Sequence, residues 1–191
     1  MMRRKRQRGF SLIEVLVSTV VFGIGVLGIT SLNAVSKRSS YQSVQRSSAA
    51  QLSFALLEDM RSNAGALAVY LAAGDLGRGS QGVEPTPLCD DPALPCTAAE
   101  LATHNLWGWE QLLDGNLERS GGVGVGGLIT PTGCIRGPAG GVTGMYTVTV
   151  AWLGSVQIAS PGPNNCGTGL YGPGNVFRRT VVLRSYIDPS I

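Results

Sequence analysis

Arg8-Gly9-Phe10-Ser11-Leu12-Ile13-Glu14-Val15-Leu16-Val17 opens the part of the sequence on which the fold turns. Residues 15–36 then run for 22 positions without a formal charge and are rich in Val, Leu, Ile and Phe. At about 1.5 Å per residue, a helix of that length covers roughly 33 Å, enough for a hydrocarbon layer of about 30 Å. Lipid offers the backbone no hydrogen-bond partners, so the run predicts a membrane helix. Arg3, Arg4, Lys5, Arg6 and Arg8 precede it with no acidic residue among them. Such a cluster holds the amino terminus in the cytoplasm and sends the remainder outward.

The whole chain has 191 residues, which suits one domain of ordinary size plus a long appendage, and 43% of them are hydrophobic, enough for a core. Its formal charge of +3 misleads, because five of the 15 Lys and Arg lie before Gly9. Without residues 1–9, ten basic residues face 12 acidic ones and the net charge is −2. A weakly acidic body argues against nucleic acid as a partner, since phosphate binding needs a basic face. Most of the 27 glycines fall after residue 64, so the second half should be rich in loops and tight turns.

An ordinary cleaved secretory signal also has a basic start and an apolar run, but its apolar core is about 7–15 residues and has no use for a carboxylate. Here the run is longer and Glu14 stands near its beginning; Ala34-Val35-Ser36 offers only a weak cleavage site. The combination of a short basic leader, Gly9, the aromatic Phe10, Glu14 four positions on and an unbroken apolar helix resembles the class III signal of type IV prepilins and pseudopilins. The resemblance implies that a membrane aspartyl prepilin peptidase cuts between Gly9 and Phe10 and methylates the new amine of Phe10. Physical chemistry gives Glu14 a role beside that resemblance. Residues four apart share a helical face, placing Phe10 and Glu14 on one stripe. A carboxylate at membrane depth costs about 2.5–3.5 kcal/mol, and an ammonium group on a neighbouring subunit's terminus would offset it. Glu14 is therefore expected to recognise the terminus of an adjoining pilin during assembly; the blander alternative is a tolerated interfacial glutamate.

Gly23-Ile24-Gly25-Val26-Leu27-Gly28 matches the G-x-G-x-x-G string of dinucleotide sites, which needs a preceding strand and a phosphate-accessible loop. Inside a membrane-length helix these glycines read instead as close packing or local melting. No proline occurs before Pro85.

Beyond the run, Ala49, Leu52, Leu56, Met60 and Leu67 recur mostly at gaps of three or four, with Phe54 and Leu57 widening the stripe. This predicts an amphipathic continuation of the long helix to about Leu67, with Gly65, Gly74, Gly77 and Gly79 marking its end. Thr97-Ala98-Ala99-Glu100 is a capping box that opens a second helix through Leu106, Trp107, Trp109, Leu112 and Leu113, closed near Gly115. Both tryptophans are expected in the core, and His104 on the surface or at a cap. Residues 145–153 and 177–187 alternate as half-buried strands: Tyr146, Val148, Val150 and Trp152 face inward in one, and Phe177, Val181, Leu183 and Ile187 in the other, with Arg178, Thr180 and Arg184 outward. A weaker strand is expected within residues 128–135. The long Gly and Pro loop between the two main strands favours antiparallel pairing, giving an α+β fold of the type IV pilin kind, a long N-terminal α-helix on a small antiparallel β-sheet.

Cys89, Cys96, Cys134 and Cys166 all lie on the side that the basic cluster makes extracytoplasmic, where disulfides are expected. Three connectivities exist; Cys89 with Cys96 and Cys134 with Cys166 is preferred, the second tying down the loop between the strands. No C-x-x-C and no His, Cys, Asp or Glu group at metal spacing is found, so no metal or cofactor is expected. No catalytic residue is expected either: one histidine serves every serine, no G-x-S-x-G occurs, and Asp90 and Asp91 beside a proline read as turn formers.

The leader, Gln45-Arg46-Ser47-Ser48-Ala49-Ala50 and Leu57-Glu58-Asp59-Met60-Arg61, with the strands around Tyr146 and Arg178, together resemble the PilV-type minor pilins, also called type IV pilus modification proteins. That resemblance implies a structural protein, not an enzyme, with other minor and major pilins, the prepilin peptidase, the inner-membrane assembly platform and a tip adhesin as partners. It also implies passage from a single-pass inner-membrane protein to the pilus and cell surface, supporting adhesion and twitching motility. The corresponding division is a cleaved leader at 1–9, a transmembrane and assembly helix at 10–36 and an extracytoplasmic head at 37–191. Two alternatives stand beside it: a minor pseudopilin of a type II secretion system, and a membrane-anchored binding module using the loops around Cys89 and Cys166.

Overall fold

The computed structural model describes residues 9–90, 95–121, 123–124 and 127–190. Arg3, Arg4, Lys5, Arg6, Arg8 and Asp91 lie outside them. The chain divides into two units, Met1–Tyr41 and Gln42–Ile191, and one helix, α1 (Leu12–Ser62), contributes residues to both.

In the first unit every described side chain is exposed. The apolar ones include Phe10, Ile13, Leu16, Val21, Phe22, Leu27 and Val35. Three of the hydroxyls that interrupt the run turn back onto the helix: Ser18 donates to the Glu14 carbonyl at 2.7 Å, Thr19 to Leu16 at 2.9 Å and Thr30 to Leu27 at 2.9 Å. They therefore place no unsatisfied donor on the apolar surface.

In the second unit α1 buries Gln45, Ala49, Ser53, Leu56, Leu57 and Met60 on one face. Phe54, expected on this stripe, is 58% exposed, because the buried face is centred on Ala49, Leu56 and Met60 and residue 54 lies about 140° round the helix from that centre. The helix also stops at Ser62, short of the expected Leu67. Asn63 leaves helical geometry at φ −124°, ψ 48°, and its Nδ2 donates to the Ala98 carbonyl at 2.7 Å, tying the helix end to the start of the next long helix. A 3-10 turn (Ala64–Ala66) and a short helix α2 (Leu67–Ala72) follow, so Leu67 is buried, but from a separate element.

Helix α3 (Ala98–Leu113) begins at the anticipated capping box: Glu100 N donates to Thr97 Oγ1 at 3.3 Å and Thr97 N to Glu100 Oε2 at 2.8 Å. Gly115, at φ +70°, provides the left-handed residue just beyond its end.

Four antiparallel strands form the main sheet in the order β1-β4-β5-β6: β1 (Asp75–Leu76), β4 (Thr132–Arg136), β5 (Gly144–Leu153) and β6 (Arg178–Ile187). Strands β2 (Arg119–Ser120) and β3 (Val123–Gly124) pair separately. The core joins Leu56, Met60, Leu67, Tyr70, Leu106 and Trp109 to Tyr146, Val148 and Val150 of the sheet. Gly133 makes this fit possible, since a Cβ there would overlap the Trp109 ring.

The sheet is covered on both faces. Opposite the helices, Tyr171, Ala151 and the disulfide sulfurs of Cys134 and Cys166 form a second cluster, with Phe177 packed against it. Thr149 and Ala151, which alternate with the inward-facing Val148, Val150 and Trp152, are consequently buried too. Arg178 was expected to point outward into solvent and is instead 3% exposed. Its guanidinium donates to the carbonyls of Cys166 and Gly162 at 3.2 and 3.0 Å, so the loop that crosses the sheet is organised around it.

Candidate functional site

The amino-terminal site is built by the start of α1. Ser11 occupies the N-cap position, its carbonyl accepting from Glu14 N at 3.0 Å and Val15 N at 3.3 Å, so the helix begins two residues after Phe10. Gly9 and Phe10 are exposed and outside regular structure. Phe10, Glu14, Ser18 and Phe22 nevertheless line one shallow groove along the helix surface. The Glu14 side chain has no hydrogen bond or ion pair among the described residues. It lies in the first turn, where the helix macrodipole favours a negative charge. A cut after Gly9 would put a positive ammonium at this same end, where the dipole disfavours it and Glu14 would compensate.

Residues 12–62 contain a stretch long and apolar enough to cross a membrane, with an 18-residue window of mean hydropathy 2.4 and none of that window buried. An uncovered apolar surface of this extent marks a lipid or protein contact.

The cysteines pair as Cys89–Cys96 and Cys134–Cys166, the connectivity preferred from the sequence. The second bond joins β4 to the loop between β5 and β6, and beside it Arg136, Thr147, Thr149, Asn164 and Arg184 border a cleft of about 470 Å³. Asp90 stays in the small disulfide loop. The tryptophans differ: Trp109 is 2% exposed and donates to the Leu52 carbonyl at 2.8 Å, whereas Trp107 is only partly buried and tilts against His104 at 5.9 Å between ring centroids. His104 Nε2 stands 3.6 Å from Glu84 Oε1. Among the described residues no group of three or more His, Cys, Asp or Glu could hold a metal ion.

One acidic pair acquires its role only through the tertiary fold. Glu110 and Asp114, one turn apart on α3, gather the turn at 77–81: Gly77 N, Ser80 N and Gln81 N donate to Glu110 at 2.6, 2.9 and 2.7 Å, and Arg78 N and Gly79 N to Asp114 at 2.8 and 2.9 Å. Backbone donors therefore fill the positions a cation would take. The signal was an i, i+4 acidic pair on a helix together with a glycine-rich turn some thirty residues earlier, and their proximity is a tertiary fact.

Residues 4–30 match a family described as the prokaryotic N-terminal methylation motif. No curated protein and no solved structure matches the chain. The match and the architecture, a long helix on a small antiparallel sheet, support a type IV pilin-class protein, pilin or pseudopilin. The motif implies processing by prepilin peptidase and assembly with pilins, and points to a structural protein with a membrane-anchored start.

Proposed function

We propose that this chain is a PilV-type minor pilin, a subunit that helps to prime or joins a type IV pilus with other minor and major pilins. The observation that carries the reading is an apolar, uncovered helix headed by Gly9, Phe10 and an unpartnered Glu14 within the matched motif. Before assembly the apolar run rests in the inner membrane with residues 1–9 in the cytoplasm. Prepilin peptidase cuts after Gly9 and methylates Phe10. During assembly the Glu14 carboxylate pairs with the terminal amine of a neighbouring subunit, and the run passes from lipid into the fibre's core. Contact with an assembly platform and a tip adhesin, and roles in adhesion and twitching, are what the resemblance to the PilV-type minor pilins implies.

Mass spectrometry of the mature protein is the first test. A chain beginning at N-methylated Phe10 supports the reading; one that retains Arg8 and Gly9, or begins after Ser36, overturns it. Glu14→Ala is expected to abolish incorporation into fibres while leaving the head folded, and normal incorporation would refute the pairing. Deletion separates the two pilin-class roles: lost surface piliation supports the pilin, whereas intact pili with blocked exoprotein secretion would favour a type II secretion pseudopilin.

A further inference from the structure

In the head, Gln42, Gln45, Arg46, Trp152, Arg179 and Thr180 surround a pocket of about 140 Å³. Its chemistry is one-sided. Gln45 is 4% exposed, yet its Nε2 has no hydrogen-bond partner among the described residues. A buried donor without an acceptor is destabilising, and in a native protein it calls for an explanation. Arg179 uses its guanidinium only on backbone oxygens, Val156 at 2.7 Å and Arg178 at 3.4 Å. Neither Arg46 nor Arg179 has an ion pair among the described residues, and no Asp or Glu lines the pocket. Burial holds the Arg179 guanidinium below the ordinary arginine value. Gln42 Nε2 is already engaged by Ser155 Oγ at 2.9 Å, and the buried Trp152 supplies a wall. What remains is two guanidinium groups, which can only donate, and the Gln45 amide with its unpartnered Nε2, all lining one small space. With two positive charges and no carboxylate in its lining, the space repels a cation and suits an anion with several acceptor oxygens.

The chain's own layout names the anion's source. Gln42 stands six residues after Ser36, where the uncharged run ends. Six residues span at most about 20 Å even when fully extended. With the run in a bilayer, the pocket cannot leave the neighbourhood of the headgroups, and Lys37 and Arg38 in between add to the positive field. We propose that this pocket binds the phosphodiester of an anionic phospholipid headgroup and so fixes the head against the membrane before assembly. Extraction into a fibre would then have to empty it. The proposal rests on the membrane placement argued above, and fractionation of cell membranes tests that placement separately.

The pocket is tested with the full chain in dodecyl maltoside micelles, titrated with short-chain phosphatidylglycerol and followed by native mass spectrometry. Short-chain phosphatidylcholine and inorganic phosphate are the comparison ligands. One saturable phosphatidylglycerol adduct is expected, weakened about tenfold or more by Arg46→Ala and by Gln45→Leu, as loss of a hydrogen bond to a charged group requires. Arg46 is exposed, so its variant should fold normally. Gln45→Leu should melt no lower than the parent in lipid-free micelles, because it removes an unsatisfied buried amide; a lowered melting temperature with unchanged lipid affinity would show a merely structural glutamine and overturn the proposal. Equal binding of phosphatidylcholine, equal binding of inorganic phosphate, or phosphatidylglycerol adducts unaffected by either variant would each overturn it too. If the protein is membrane-resident and no adduct forms, the pocket assignment alone fails; if the protein is found outside membranes, the placement itself fails.

Discussion

Replacing Glu110 tests how the head holds its least regular segment. The carboxylate is fully buried and accepts from Gly77 N at 2.6 Å, Ser80 N at 2.9 Å and Gln81 N at 2.7 Å, with the Ser80 hydroxyl as a fourth donor. Gly77 has little freedom to find another acceptor: it sits at φ +112°, and a Cβ there would meet the Pro131 carbonyl oxygen at 2.7 Å. Hydrogen bonds to a charged group contribute about 1.5–3 kcal/mol each, against about 0.5–1.5 kcal/mol for neutral ones. Glu110→Gln keeps one acceptor oxygen and turns an NH2 toward donors, so at least one backbone N–H loses its partner and the others weaken. The expected loss is about 2–4 kcal/mol. Glu110→Ala should cost more, about 4–5 kcal/mol, limited because Ser80 and Gln81 are only partly enclosed and water can replace part of what they lose. Urea unfolding of the detergent-solubilised chain, read by tryptophan fluorescence, gives the free energies. Hydrogen exchange gives the location, and the amides of residues 77, 80 and 81 should lose protection before those of β5. A Glu110→Gln protein within about 0.5 kcal/mol of the parent, with those amides still protected, would refute the reasoning.

The two disulfides should differ in weight, since loop closure makes Cys134–Cys166, with a separation of 32, stabilise by about 3.7 kcal/mol and Cys89–Cys96, with a separation of 7, by about 2.3 kcal/mol; paired Cys→Ala variants in chemical denaturation check the order. Gly133→Ala should destabilise by about 1–3 kcal/mol and shift the near-ultraviolet signal of Trp109, because the ring that the new Cβ overlaps must move and strain its bond to Leu52. Thr97 holds the Glu100 carboxyl below its ordinary value of 4.5 through backbone and side-chain hydrogen bonds. The folded form therefore binds this proton less readily than the unfolded one; the cap's stabilisation is complete above 4.5 and fades as pH falls through the lowered folded value. Glu100→Gln should flatten that part of a stability-against-pH curve, and an unchanged curve would count against the cap.

Periodicity carried most of the architecture. The alternation of Tyr146, Val148, Val150 and Trp152 located β5, and Thr97 with Glu100 located the start of α3, because both signals are local. The end of α1 at Ser62 is set by a non-local contact instead. Leu67 has the right spacing for a continuing helix, but Asn63 gains a partner on the Ala98 carbonyl, 35 residues later in sequence, and the chain breaks to reach it. Strand β1 is two residues long and exists through its pairing with β4 at Cys134 and Gly133, so no alternation could announce it. Arg178 obeyed the strand's parity, lying on the face opposite Ile187; what the pattern could not show was that a loop from the same chain covers that face. The amino-terminal site was legible in a stronger sense, since its meaning lies in residue order: Gly9, Phe10 and Glu14 ahead of an uncharged run need no tertiary contact to be read.

Two glutamates show why the reading of that run carries the function. Glu110 has every sign of a residue whose partners come from its own chain: no exposure, four donors and a position on a packed helix. Glu14 has none of them. It stands at the head of a surface of Leu, Val, Ile and Phe that nothing in the described chain covers, while the serine and threonine hydroxyls nearby turn inward to backbone carbonyls. A carboxylate left unpaired at membrane depth costs about 2.5–3.5 kcal/mol, so the segment that keeps one requires a positive group from elsewhere to recover that cost. The other charged groups of the described chain begin at Lys37, 23 positions further on, or about 35 Å along a helix, too far to serve. On the proposed function the compensating charge is the ammonium that cleavage creates at Phe10: each subunit carries one four residues from its own Glu14, and an adjoining subunit in the fibre brings a second in the same copy number.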